Sequence, residues 1–187
     1  MSFKNFLKRF KQGDYIGDFV YGANDGIVTT FAVVAGATGA LLSSGIVVIL
    51  GLASLVADAF SMGASNFLAI RSEKEVERKK KREAGDDVPD NGVVTPIQHG
   101  LVTFSAFMIA GALPLVPYLL DLPNTQQFIS SSVLAAATFF FVGGIRTFIT
   151  GGSFLKAGIE MLLVGGVAAG VAFGIGWGIK TMIGVVV

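Results

Sequence analysis

Two aspartates stand within otherwise apolar stretches of the 187-residue sequence. Asp25 lies in YGANDGIVTTF and Asp58 lies in LVADAFSMGASNFLA, and neither has a basic neighbour in sequence to neutralise it. An ionisable residue deep in an apolar, membrane-crossing segment is costly and indicates a functional site by default. A third aspartate, Asp18, stands nearer the end of its stretch, where water can hydrate it.

Four side chains that can bind metal recur at four-residue spacing around the second aspartate: Ser54, Asp58, Met62 and Asn66. On a helix this spacing places them along one face. A hard carboxylate oxygen with a softer thioether suits a borderline divalent ion such as Fe²⁺ or Mn²⁺ better than Ca²⁺ or Mg²⁺. The predicted metal ligands are therefore Asp25, Asp58, Met62 and Asn66. The alternative is that Met62 is ordinary packing and Asp58 pairs with a polar group on another helix.

Weaker candidates surround this set. Asp25 and Thr29 share a helix face, and Gly22 and Gly26 beside them permit either a close helix contact or a local break that exposes carbonyl groups to a cation. The possible secondary site residues are Asp18, Ser54, Thr29 and Glu160.

Two polar residues, Glu160 and His99, lie near the ends of predicted helices, and the role of each has to be weighed. Glu160 could accept a cation, pair with Arg146 or Lys156, or be solvated. The single histidine, His99, is expected to be a hydrogen-bonded boundary residue rather than a ligand.

The elements that position these residues are apolar runs long enough to cross a bilayer. Of the residues, 52% are hydrophobic and only 14% are charged, whereas soluble domains carry roughly 25% charged residues. A spanning helix needs about 20 apolar residues. The sequence predicts an all-α integral membrane protein with five transmembrane helices, at about 17–41, 45–70, 97–120, 128–149 and 156–180.

The remaining segments complete this arrangement. Residues 1–13 are predicted to form a basic amphipathic helix at the membrane interface, ahead of a transmembrane domain over 14–187. Loop 71–96 is predicted to continue the second helix and then turn, with its Glu residues paired to neighbouring Lys and Arg. Pro114 and Pro117 are expected to kink or end the third helix.

The distribution of basic residues predicts the orientation, since cytoplasmic flanks are enriched in Lys and Arg. The N-terminal tail holds four, the loop after the second helix seven and the fourth connection two, whereas the opposite side has only Lys180. Five helices with a cytoplasmic N-terminus and the C-terminus across the membrane satisfy every count. The run KKKRE is read as an anchor on that side, with contact to anionic lipid as an addition.

A second glycine pattern lies in the fifth predicted helix. Helix packing is predicted for a small-residue stripe in the fifth helix, formed by Gly166, Gly170, Gly174 and Gly178.

No Cys is present, which excludes disulfides, zinc ribbons and iron–sulfur clusters. The sequence has no nucleophile–base pair or cofactor motif, so we expect neither an enzyme nor a resident cofactor, and nucleic-acid binding is not expected either.

Four segments of the sequence resemble the vacuolar iron transporter family, which includes plant and fungal vacuolar iron and manganese carriers and prokaryotic relatives. They are DGIVTTFAVVAGATGA, ADAFSMGASNFLAIRSE, GALPLVPYLL and LKAGIEMLLVGGVAAGVAFGIG. The resemblance implies a five-helix protomer with a cytoplasmic N-terminus, and a homodimer with the ion path between subunits. It also implies export of Fe²⁺ or Mn²⁺ from the cytosol, commonly in exchange for protons. Asp25 and Met62 match the family's first-helix aspartate and second-helix methionine.

The sequence departs from the plant pattern in two places. Plant members have a glutamate where this chain has Ser54 and a small residue where it has Asp58, so a carboxylate is shifted by one helical turn. The better-known plant members also carry a long cytoplasmic metal-binding domain rich in Glu and Met, whereas loop 71–96 is short and has no Met. Metal capture before transport is therefore not expected here.

The sequence thus predicts a divalent metal transporter that acts in the plasma membrane of a prokaryote or in a vacuole-like membrane of a eukaryote. Its expected partners are the metal ion as substrate, membrane lipid and a second copy of the chain. Two alternatives stay open: a non-transporting membrane scaffold or lipid-binding protein, and a carrier of another divalent ion or a small cationic solute.

Overall fold

The computed structural model describes residues 15–85, 95–120 and 122–183, and these residues form five long helices. The helices are α1 (Ile16–Gly39), α2 (Ser44–Glu83), α3 (Pro96–Ala112), α4 (Asn124–Ile145) and α5 (Phe154–Ile183). The described ranges contain no strand, so the all-helical prediction is confirmed. The interfacial helix predicted over 1–13 and the loop over 86–94 lie outside them.

Four of the helices are long and apolar enough to cross a membrane: α2, α3 together with the turn that follows it, α4 and α5. Helix α1 is not among them, although it has 24 residues. It carries Asp18, Asn24 and Asp25, and it packs against each of the other four helices. Because protein rather than lipid surrounds most of α1, polar side chains can be accommodated on it.

Close glycine contacts fix α1 against α3. A Cβ atom added at Gly26 would lie 2.5 Å from the carbonyl oxygen of Phe107, and one at Gly22 would collide with the carbonyl oxygen of Thr103. Helix α1 is continuous through both glycines. Of the two alternatives for this pair, the structure therefore shows close packing and no local break.

Helix α2 is fully buried only along one narrow line, and the rest of its surface is half-buried or exposed. The buried residues follow a strict four-residue spacing: Val47, Gly51, Leu55, Ala59 and Gly63. The helix continues well beyond the apolar stretch, to Glu83, and the chain then turns at Gly85 with a φ of 77°.

Exposed ion pairs one turn apart support this extension of α2. Arg71 lies 3.0 Å from Glu75, and Lys81 lies 2.5 Å from Glu77. Such pairs stabilise a helix modestly. The paired, solvated helix predicted for this segment is what the structure shows up to Glu83.

The α-helical part of α3 ends at its prolines. A 3₁₀ helix over Leu113–Leu119 follows Ala112 directly, and it contains both Pro114 and Pro117. Proline has no N–H to donate within a helix, which explains the change. The freed carbonyl oxygen of Pro114 accepts a hydrogen bond of 2.6 Å from the Ser131 hydroxyl, and this bond ties the segment to α4.

Helix α5 packs through glycines other than the predicted ones. Added Cβ atoms at Gly158 and Gly165 would meet Phe140 and Phe139 of α4, and one at Gly176 would meet the Gly36 carbonyl of α1. Among the described atoms, by contrast, none lies within 4 Å of a Cβ added to the predicted stripe, Gly166, Gly170, Gly174 and Gly178. The stripe occupies a different face of α5, so the packing predicted for it is not with another described helix of this chain and stays a prediction.

Candidate metal site

Asp25 projects from the one flank of α1 that the other helices leave uncovered. Its neighbours Gly26 and Ile27 are buried in the bundle, whereas Asp25 and Tyr21, one turn earlier, are exposed. At 1.5 Å per residue, Asp25 lies about 14 Å along α1 from the helix start. The Asp25 carboxylate therefore lies on the outer surface of the helix bundle, partway along α1.

Asp58 of α2 lies beside this flank. Asp58 stands near enough to Asp25 for the two side chains to interact electrostatically. The Ser54 hydroxyl donates a 2.7 Å hydrogen bond to Oδ2 of Asp58, which orients that carboxylate from one turn earlier on the same helix. The structure thus brings together two acidic side chains from different helices, as a shared cation site requires.

Met62 follows Asp58 by one turn on the same face of α2. Its side chain is half-buried and packs against the main hydrophobic core. Packing and a ligand role are compatible here, since a flexible thioether can contact apolar neighbours along its length. Thr29, one turn beyond Asp25 on α1, is likewise half-buried.

Asn66, the last residue of the predicted stripe, belongs to another cluster. Its Nδ2 donates hydrogen bonds of 2.7 Å to Oδ1 of Asp18 and of 2.7 Å to Oγ1 of Thr103. Asn66 follows Asp58 by eight residues, which is about 12 Å along the helix axis. The amide nitrogen is therefore engaged in joining α1, α2 and α3, and Asn66 is set apart from the pair formed by Asp25 and Asp58.

The second cluster contains the chain's single histidine. Nδ1 of His99 lies 2.5 Å from Oδ2 of Asp18, and the two side chains are only 13% and 14% exposed. The Tyr15 ring lies 5.2 Å from the His99 ring, and the Tyr15 hydroxyl donates a 2.6 Å hydrogen bond to Gln98. His99 is thus a hydrogen-bonded boundary residue, as expected.

This cluster was not foreseen from the sequence, although one signal points to it. If the five predicted spans cross the membrane alternately, α1 and α3 begin on the same side. Asp18 and His99 both lie near those beginnings, so the topology alone places them at the same level.

Glu160 is paired with a neighbouring arginine. Nη2 of Arg146 donates a 2.5 Å hydrogen bond to Oε2 of Glu160, and the side chains are 47% and 66% exposed. Of the three readings left open for Glu160, the structure shows the ion pair with Arg146.

The described residues hold few groups that could bind a metal ion together. Within the described ranges, no group of three or more His, Asp or Glu side chains could hold a metal ion. The pair formed by Asp25 and Asp58 offers two carboxylates, with Met62 one turn away. Further ligands would have to come from water, from backbone carbonyls or from a second copy of the chain.

The sequence model of the VIT family matches residues 16–92 and 81–177, which together include all the residues of the candidate site. The chain belongs to the VIT family. It is 29% identical to a vacuolar iron transporter of Toxoplasma gondii, over 91% of this chain and 76% of that protein. It is 26% identical to vacuolar iron transporter 1 of Arabidopsis thaliana, over 89% of this chain and 86% of that protein. The resemblance noted in the sequence is confirmed.

Family members differ in length. The alignment with the Toxoplasma protein spans 230 positions, more than the 187 residues of this chain, so that relative has residues without a counterpart here. Vacuolar iron transporter homolog 3 of Arabidopsis thaliana, 25% identical, aligns over 167 positions that cover 88% of this chain and 82% of that protein. The two matched segments of the VIT family overlap at 81–92, from the last residues of α2 onward.

Proposed function

We propose that this protein transports a divalent transition-metal ion, Fe²⁺ or Mn²⁺, across a membrane. The observation that carries the proposal is the approach of Asp25 and Asp58, two carboxylates from different helices that repel one another. Two such groups at membrane depth are relieved by a dication or by protons bound between them. The relatives named vacuolar iron transporters support iron as the substrate.

The ligands in this proposal are Asp25 and Asp58, with Met62 as a softer donor. Ser54 acts through Asp58, whose carboxylate it orients over 2.7 Å. Carboxylate oxygen with thioether sulfur favours Fe²⁺ and Mn²⁺ over Ca²⁺ and Mg²⁺. Asn66 is left out of the ligand set because it lies about 12 Å from Asp58 along the helix axis and its Nδ2 joins it to Asp18 and Thr103.

A homodimer completes the site in this proposal. Asp25 and Tyr21 lie on an uncovered flank of the protomer, where an unshielded carboxylate would face lipid. A second copy related by a two-fold axis would cover the flank and bring a second Asp25, Asp58 and Met62 to the same place. The ion path then runs between the subunits.

Proton exchange follows from the same oxygens. A protonated carboxylate is a poor metal ligand, so metal and protons compete for Asp25 and Asp58. Such competition is the minimum requirement for coupling the two fluxes in opposite directions.

The basic residues support an orientation for the cycle. The side of the membrane that receives the extension of α2 and the N-terminal tail carries nearly all of the Lys and Arg, and this side is the cytoplasmic one by the positive-inside rule. Export from the cytosol would remove metal across the plasma membrane of a prokaryote or into a vacuole-like compartment of a eukaryote.

Uptake into proteoliposomes tests transport and coupling together. We expect Fe²⁺ entry to be faster when the vesicle interior is acidic, because protons leave as metal enters. Added Mn²⁺ should slow Fe²⁺ entry by competing for the same ligands. Fe²⁺ entry equal to that of empty liposomes, at every imposed pH gradient, would contradict the proposal.

A second candidate function is a membrane scaffold that transports nothing. One observation favours it: among the described atoms, none covers the glycine stripe on α5, which is free to meet another protein. The two functions differ in their response to metal. A real site stabilises the folded protein by mass action, by about 2.7 kcal/mol at a metal concentration one hundred times Kd, whereas a scaffold should melt at the same temperature with or without Fe²⁺ and Mn²⁺. A carrier of another divalent ion or of a small cation should respond to that solute instead.

A further inference from the structure

Helices α2 and α3 touch through two glycines. A Cβ atom added at Gly63 would lie 2.9 Å from the carbonyl oxygen of Gly100, and one added at Gly100 would lie 2.6 Å from the carbonyl oxygen of Gly63. The two backbones are therefore in direct contact at this crossing, with the side chains of Phe104 and Phe67 beside it.

An apolar cavity of about 280 Å³ opens over the crossing. Gly63 and Gly100 form its floor, and aromatic rings form much of its wall. Besides the two glycines, the cavity is lined only by apolar side chains, those of Phe60, Ala64, Phe67, Ile97, Leu101 and Phe104. Its chemistry suits a hydrocarbon chain.

A second cavity, of about 420 Å³, adjoins the first at Phe67, which lines both. Its basic side chains are Arg71, Lys74 and Arg78, which follow one face of α2 at helical spacing, and its single acidic residue is Glu75. The cavity lies where α2 passes from its apolar stretch into the charged extension. The groove therefore changes from apolar to basic along its length.

We propose that this two-part groove between α2 and α3 binds one anionic phospholipid. An acyl chain would occupy the apolar cavity, and the phosphate would meet Arg71, Lys74 and Arg78. The cavity lining carries three basic residues and one acidic residue, and Lys74 also interacts with Glu77 nearby. A phosphate would join or replace these exposed contacts, and arginine pairs especially well with phosphate. The bond between Arg71 and Glu75 is exposed and therefore worth little, so phosphate can replace it. This inference goes beyond metal transport and does not depend on it.

The chain offers its own reporter of general lipid contact. Trp177 of α5 is its single tryptophan, and its side chain is 60% exposed. Replacing it by Phe and adding Phe60→Trp moves the fluorophore to the wall of the apolar cavity. Quenching is then compared in nanodiscs that contain brominated phosphatidylglycerol or brominated phosphatidylcholine, at low and equal mole fraction in unlabelled phosphatidylcholine.

We expect Trp at position 60 to be quenched at a much lower concentration of brominated phosphatidylglycerol than of brominated phosphatidylcholine. Each basic residue near an anionic group is worth about fivefold in affinity, so a preference of about tenfold or more is predicted. Trp177 in the unaltered chain should be quenched equally by the two lipids. Equal quenching by the two lipids at position 60 would overturn the proposal.

Two double variants separate this site from general attraction to a basic surface. Arg71→Ala with Arg78→Ala should remove most of the preference, whereas Lys79→Ala with Lys80→Ala should keep it, because neither lysine lines the groove. Both variants remove two positive charges from the same helix. An equal loss in the two variants would contradict a built site. Should Phe60→Trp fail to fold, Leu101→Trp, also exposed on the groove wall, serves as the reporter.

Discussion

Asn66 of α2 donates a hydrogen bond of 2.7 Å to Asp18 of α1, and this contact divides the polar residues of the two helices into two groups. Asp18, Asn66 and His99 form a hydrogen-bonded cluster near the beginnings of α1 and α3. Asp25 of α1 and Asp58 of α2 interact separately from this cluster. The first group is hydrogen-bonded among its own members, whereas we propose that the second binds a cation or protons.

The division predicts different outcomes for the two groups. Asn66→Ala removes the donor to both Asp18 and Thr103, so we expect it to lower the free energy of unfolding by about 1–3 kcal/mol. Thermal melting in detergent measures this loss. Ser65→Ala, at an exposed neighbouring position of α2, is the control and should melt like the original protein. Unchanged melting of Asn66→Ala together with loss of metal uptake would instead identify Asn66 as a ligand.

The four-residue spacing of the stripe on α2 correctly predicted that its residues share one helix face. It did not predict how many of them belong to the same site. The stripe from Ser54 to Asn66 rises about 18 Å along the helix, which is too long for one ion to contact at both ends. Sequence spacing defines a face, whereas depth depends on what the neighbouring helices present. Asp18 and Thr103, which accept hydrogen bonds from Asn66 at the far end of the stripe, come from α1 and α3.

The helices could be predicted from the apolar runs and from the prolines, glycines and charged residues that interrupt them. The prolines at positions 114 and 117 ended the α-helical part of α3 as expected. Glycine patterns were harder to interpret, because α5 carries glycines on two faces. Small-residue spacing shows that a close approach is possible, but it does not identify the partner. Gly158 and Gly165 meet α4, while the more regular stripe that begins at Gly166 meets no other described residue of the chain.

A packed glycine of α1 and an uncovered glycine of α5 predict opposite effects of the same substitution. Gly26→Ala forces a methyl group against the Phe107 carbonyl, so we expect destabilisation of about 1–3 kcal/mol or more. Gly170→Ala meets open space and improves helix propensity, so melting should stay the same or rise. Thermal melting of the two variants checks both. Strong destabilisation by Gly170→Ala, with loss of the dimer on size exclusion, would show that the stripe packs between subunits.

The exposed pair formed by Arg146 and Glu160 should matter little. Such pairs contribute about 0–1 kcal/mol, so Glu160→Gln should melt within that range of the original protein. Metal uptake should also be retained, because the carboxylate is engaged by the arginine. A large loss of uptake in Glu160→Gln, with Arg146→Gln unaffected, would instead show that Glu160 binds the ion.

The extension of α2 predicts a pH effect outside the membrane. The hydrogen bond and charge of Lys81 hold the pKa of Glu77 below its ordinary value of 4.5. A lowered pKa means that the pair supports the helix above pH 4.5 and is lost as the pH falls through the pKa of the folded state. Lys81→Ala should return the pKa toward 4.5, and Lys80→Ala should leave it unchanged, as measured by NMR titration of the Glu77 carboxyl. Equal values in the two variants would contradict the contact.

The most direct measurement is the initial rate of Fe²⁺ uptake into proteoliposomes by Asp25→Asn and Asp58→Asn, with Glu160→Gln as the matched control. Loss of an outer-shell partner alone weakens metal sites about 10–100-fold. We therefore expect each aspartate variant to lose at least about tenfold in rate at low Fe²⁺, while Glu160→Gln keeps the original rate. Folded aspartate variants that transport Fe²⁺ at the original rate would contradict the proposal that Asp25 and Asp58 bind the transported ion.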